Sequence, residues 1–266
     1  MNFDIKEDVI IGYGKSYASF GEIVQGRLSC GNDFLVTLPV DLWSTCELNC
    51  QEITGPSIVN IDGNFDKSKG VAEAILQELG LDQGKRLNIK FTRNIPIGKG
   101  LSSSTADMLA VVRAFQEVFG FIVTEKYISR LFSNIEPHDA LHYFSCTAYN
   151  HRKGVLLKKM NYVPQYIIIG IDAGGTVDTK QYNKKIEYSS DDIQVYDSIY
   201  KDLVNGFMDQ DDIAIARCAT RSTKQHIKRS DNHFIKSIVR KLPDFAPIGI
   251  LTAHSGTCVG LLYPIN

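Results

Sequence analysis

The chain has 266 residues, 44% hydrophobic and 22% charged, with 29 basic against 30 acidic side chains and a formal net charge of −1. This is enough to bury one large core or two smaller lobes and does not read as a disordered chain. The balanced charge leaves no electrostatic footprint for nucleic acid or an anionic membrane, so any bound phosphate must be held locally.

Up to about residue 50, β-rich pieces at 9–14, 22–26 and 34–40 alternate with turn signals such as Gly31-Asn32-Asp33, predicting antiparallel strands and hairpins. Residues 66–79 place Val71, Ala74, Ile75 and Leu79 at helical spacing, and 87–91 alternate like a half-buried strand. Helices are predicted at about 104–119 and 124–134, the second with Thr124 as an N-cap candidate. A strand pair is expected after residue 143, then a strand over 165–172, helices near 191–208, 211–226 and 231–241, and strands at 248–251 and 258–263. Strands and helices in mixed runs favour α+β layers over a doubly wound sheet, with a soft boundary near 150–165.

No apolar run approaches the roughly 20 residues that span a bilayer, and the N-terminus lacks the order of a signal peptide, so the expectation is a cytoplasmic protein without a membrane or nucleic-acid partner. Six scattered cysteines without a C-x-x-C pair suit reduced thiols. His138 and His142 lie four apart, but no H-e-x-x-H glutamate or third ligand accompanies them, which argues against zinc.

The stretch with most chemistry is Pro96-Ile97-Gly98-Lys99-Gly100-Leu101-Ser102-Ser103-Ser104-Thr105, which joins a predicted strand to a helical run. Gly98 and Gly100 allow a sharp turn that brings N–H groups to an anion, the serines add hydroxyls, and the unpaired amides of a helix start complete an anion site. The segment fits neither the P-loop nor the dinucleotide fingerprint, because serines stand where those motifs need Lys or Gly.

Residues 96–104 resemble the second, triphosphate-binding motif of the GHMP kinases, and Ala253-His254-Ser255-Gly256-Thr257-Cys258-Val259-Gly260 resembles the third motif of that superfamily. Residues 18–26, the run Glu136-Pro137-His138-Asp139 and residues 172–179 are similar to its L-threonine kinase branch, which makes threonine phosphate for cobalamin synthesis. Phe20 and His138 depart from that branch, where a cysteine and a threonine are expected.

The resemblance implies a two-lobed α+β fold, with a ribosomal S5 domain 2-like N-terminal lobe over 1–155 and a ferredoxin-like C-terminal lobe over 156–266. It implies ATP and Mg²⁺ as cofactors and a small-molecule hydroxy amino acid as phosphoryl acceptor, and leaves room for a homodimer. Pro96, Gly98, Lys99, Gly100, Leu101, Ser102, Ser103, Ser104 and Thr105 would hold ATP, while Ser104 and Glu136 would hold the metal. Asp139 would address the acceptor hydroxyl, and Glu22, Gln25, His254, Ser255, Gly256 and Thr257 would face the substrate. If 136–139 form one helical turn, Glu136 and Asp139 share a face; the plainer alternative is that the segment only starts a helix. Arg217, Arg221 and Lys224 form a basic helical stripe read as solvated surface. The alternatives to a threonine kinase are a kinase for homoserine, serine or another hydroxy acid, and a non-catalytic nucleotide sensor.

Overall fold

The computed structural model describes residues 9–174, 187–229, 233–253 and 256–265. Where the sequence predicts three short pieces, two long strands form, β1 (Ile10–Arg27) and β2 (Asp33–Pro56), joined by a tight turn in which Leu28 and Asn32 are hydrogen-bonded. The predicted turn at Gly31-Asn32-Asp33 falls at the junction of the two strands, and the glycines inside β1 admit a neighbour. A Cβ at Gly14 would stand 1.8 Å from the carbonyl oxygen of Ala110, so only glycine lets the strand ride on the helix there.

The chain divides into two compact units. The first comprises the chain up to Ala18, Asp41–Ile95 and Ser104–Glu136; the second comprises Ser19–Val40, Pro96–Ser103 and the chain from Pro137 onward. Each is therefore assembled from separated segments, and β1 and β2 run through both.

In the first unit, the later part of β2 pairs antiparallel with β4 (Gln83–Arg93), from Ser44 opposite Arg93 to Cys50 opposite Leu87, and the short β3 (Ile58–Ile61) pairs parallel with β4. The pleat buries Ser44, Cys46, Leu48 and Cys50 on one face. Helix α1 (Asp66–Glu78) buries Val71, Ala72, Ile75 and Leu76, so Val71 and Ile75 of the predicted stripe face the interior while Leu79 is exposed. Helix α2 (Ser103–Phe119) is buried at every position from Thr105 to Val112, the mark of an interior helix. Helix α3 (Glu125–Ser133) starts as predicted, with Thr124 Oγ1 accepting the Tyr127 amide at 3.1 Å. Asp107 of α2 is gripped by the Ser44 hydroxyl at 2.6 Å and by the Arg93 guanidinium, which ties α2 to β2 and β4. Burial nonetheless pushes the Asp107 carboxyl above its ordinary range.

In the second unit, the later part of β1 pairs with β8 (Gly249–Thr252), β8 with β9 (Cys258–Pro264), and β9 with β7 (Tyr166–Asp172), all antiparallel. The strand pair expected after residue 143 is β5 (Thr147–Asn150) with β6 (Val155–Lys159). Helices α4 (Ser190–Met208), α5 (Asp212–Arg229), α6 (His233–Arg240) and α7 (Leu242–Phe245) complete it. A capping box between Ser189 and Asp192 starts α4. Ile235, Ile250, Val259 and Leu261 form one apolar cluster of this unit. Phe20 is buried there: Cβ atoms at the paired Gly170 and Gly260 would each lie 2.8 Å from its ring, so bare backbone makes room for the larger side chain. In the basic stripe, Arg221 binds Asp202 and, at 3.0 Å, the Ser198 hydroxyl, so it fastens α5 to α4. All six cysteines are free thiols and only Cys30 is exposed.

Candidate active site

The predicted phosphate loop has an unusual backbone. Gly98, Gly100 and Ser102 take positive φ values of 70°, 78° and 56°, while the residues between them do not. Alternation of left-handed and ordinary residues makes anion-binding concavities of main-chain N–H groups. Glycine adopts the conformation freely, whereas serine at position 102 costs about 1–2 kcal/mol. Leu101 and Thr105 are buried and anchor the loop, Pro96 is exposed, and α2 starts at Ser103 with its first amides unpaired within the helix.

In the second unit the two small-residue loops interlock. Thr257 donates its amide to the carbonyl of Lys99 at 3.3 Å, a Cβ at Gly256 would lie 2.1 Å from that carbonyl oxygen, and one at Gly100 would lie 2.4 Å from Ala253 Cβ. Asp172, at the end of β7, ties both loops. It takes the Lys99 ammonium at 2.7 Å, the Thr257 hydroxyl at 2.6 Å and the Gly174 amide at 2.9 Å. Lys99, then Thr257, hold the Asp172 carboxyl down to about 2, so it is ionised in the folded protein well below its ordinary titration range. A depressed carboxyl contributes stability above its unfolded pKa and loses it as pH falls toward 2, so at neutral pH this clamp is fully charged. Gly256→Ala should therefore force the loops apart and destabilise the protein by about 1–3 kcal/mol, read as a lowered urea midpoint. An unchanged midpoint would contradict the tight approach. His254 and Ser255 lie outside the described residues.

The carboxylates proposed for metal and acceptor have separate partners. In the first unit, Ser104 donates its hydroxyl to Glu136 Oε1 at 2.7 Å, and Lys67 Nζ stands 2.5 Å from Glu136 Oε2. Glu136 is buried while Lys67 is half-exposed. In the second unit, Ser102 donates to Asp139 Oδ2 at 2.6 Å and also meets the hydroxyl of buried Ser19. The hydroxyl that the resemblance gives to phosphate is thus directed at Asp139. Glu136 and Asp139 do not share a helical face, and their segment starts no helix: α3 ends at Ser133 and residues 136–140 are irregular. Pro137 disfavours the helical region at residue 136 and has no N–H to give. His138 instead pins the segment, with Nδ1 3.0 Å from the Asp139 carbonyl and Nε2 3.0 Å from the Tyr149 hydroxyl.

Glu22 and Gln25 are both buried on β1; Glu22 lies opposite Thr252, and the Gln25 amide meets Ser222 Oγ at 3.3 Å. Sequence reading missed Lys67, Asp172 and Ser19 as site residues. No local signal marks Lys67, because its partner belongs to a distant segment. It also missed a cleft of about 580 Å³ in the first unit, lined by residues 59–63, Phe65, Asp66, Lys69 and Asn88. Phe65 is stacked on Phe91 at 4.3 Å, with the Arg93 guanidinium over its ring.

The fold is that of solved GHMP kinases. Residues 66–145 match the family model for the GHMP kinases N terminal domain. It is 25% identical over 255 residues to the L-threonine kinase of Citrobacter freundii, covering 94% of this chain and 85% of that protein. It is 23% identical over 252 residues to that of Salmonella typhimurium, covering 92% and 80%. Among solved structures, the Methanococcus jannaschii mevalonate kinase superposes with a TM-score of 0.67 at 14% identity, over 98% of this chain and 92% of that one. The Cytophaga hutchinsonii homoserine kinase gives 0.68 at 17% identity, over 98% and 87%. These likenesses show the fold.

Proposed function

We propose that this protein is an ATP-dependent kinase that transfers the γ-phosphate to the side-chain hydroxyl of L-threonine or a similar hydroxy amino acid. The observation that carries the reading is the glycine-bent loop of the second unit, whose Ser102 hydroxyl is directed at Asp139; in the first unit, Ser104 is separately directed at Glu136. The similarity to L-threonine kinases over most of the chain supports the choice of acceptor.

The loop 96–105 holds the triphosphate through its main-chain amides. Ser104 and Glu136 fit a magnesium ion: both offer hard oxygens, and the buried carboxylate already has a cation, Lys67, against it. Magnesium there would neutralise charge on the β- and γ-phosphates. The acceptor hydroxyl oxygen bonds to the γ-phosphorus as the bond from phosphorus to the β,γ-bridging oxygen breaks, and that electron pair leaves with ADP. The hydroxyl proton passes to the Asp139 carboxylate, a late transfer that demands little base strength. Buried Glu22 and Gln25 face the amino acid.

The test is ADP release by purified protein with Mg²⁺-ATP and a panel of threonine, serine, homoserine and other hydroxy acids, with the product identified by mass. Threonine-dependent ADP and an O-phosphothreonine product are expected. A different preferred acceptor would reassign the substrate, and ATP binding without acceptor-dependent turnover would replace the kinase by a nucleotide sensor.

A further inference from the structure

Of the non-glycine residues in the loop 96–105, Ser102 alone has a positive φ. Glycine would take this backbone without strain, so a serine here points to a use for its hydroxyl. That hydroxyl is engaged on both sides: it donates to Asp139 Oδ2 at 2.6 Å and meets the hydroxyl of Ser19, which has no exposed surface. The Ser19 amide also donates to the carbonyl of Leu101 at 3.4 Å, so β1 and the loop hold the two hydroxyls in register.

We infer that Ser102 is a positioning residue for phosphoryl transfer, whose strained backbone aims its hydroxyl so as to fix the rotation of the Asp139 carboxylate toward the acceptor. This rests on the reading of Asp139 as the group that meets the acceptor hydroxyl. One hydroxyl can donate to Asp139 while accepting from Ser19, and such a chain ending on a carboxylate is stiffer than either bond alone. The hydroxyl thus serves Asp139, and any contact of residue 102 with phosphate falls to its amide.

The experiment compares Ser102→Gly, Asp139→Asn and the double variant. Ser102→Gly should keep or raise the Tm, because the left-handed backbone is relieved, yet lower kcat about 10- to 100-fold, as expected for a lost hydrogen bond to a charged group. KM for ATP should stay within about threefold, whereas a phosphate-binding hydroxyl would raise it. In the Asp139→Asn background, adding Ser102→Gly should change kcat by less than about twofold, since both act through one carboxylate. Wild-type kcat in Ser102→Gly, with Asp139→Asn impaired, overturns this inference. So does a Ser102→Gly loss of undiminished size in the double variant. Wild-type kcat in Asp139→Asn instead sinks the reading of Asp139 itself.

Discussion

Replacing Asp139 by asparagine is expected to lower turnover about 100- to 10,000-fold while leaving ATP affinity within about threefold. The amide keeps the shape and still accepts the Ser102 hydroxyl, which is 2.6 Å from Oδ2, so the loop has no reason to unfold. What is lost is the negative charge and the capacity to take the acceptor's proton. On the proposed reading, phosphate is held by the backbone of 96–105, which the substitution does not touch. Steady-state kinetics with ATP and the best acceptor separate the two effects: a fall confined to kcat supports the assignment, and equal activity removes Asp139 from the chemistry.

The second large effect is expected at Glu136. Glu136→Gln should raise the Mg²⁺ concentration for half-maximal rate at least about tenfold, because a neutral amide is a poor ligand for a hard divalent ion. Lys67 provides the counter-experiment. Its ammonium, 2.5 Å from Glu136 Oε2, competes for the same oxygen, so Lys67→Met should leave a buried carboxylate in want of a cation and tighten metal binding. Mn²⁺ titration followed by electron paramagnetic resonance reads both variants without turnover. Opposite shifts support a shared cation position; unchanged affinity in Glu136→Gln contradicts its role as ligand.

Much of the fold is legible in local patterns. The helix start at Thr124, the runs that become α2, α4 and α5, and the strand over Tyr166–Asp172 follow from capping residues and apolar periodicity. The full length of β1 was not legible, because nothing local joins the pieces at 9–14 and 22–26, and the glycines within it let other backbone and rings approach. The supposed helical turn at Glu136 and Asp139 failed for a local reason that was available: a proline directly after Glu136 opposes it. Burial of Glu22 and Gln25 required the pairing of β1 with β8, which no local window contains.

By itself the sequence determined the chemistry on offer: a glycine-bent loop loaded with hydroxyls at a helix start, and the acids that could serve it, since backbone permissiveness and helix-end polarity are local properties. Only the tertiary structure decided which hydroxyl meets which acid. Ser104 pairs with Glu136 across 32 positions, Ser102 with Asp139 across 37, and Thr257 with Asp172 across 85. Such pairings depend on how distant strands and loops are brought into register, so the cation on Glu136, the clamp at Asp172 and the strained serine on Asp139 emerge only when the chain is folded.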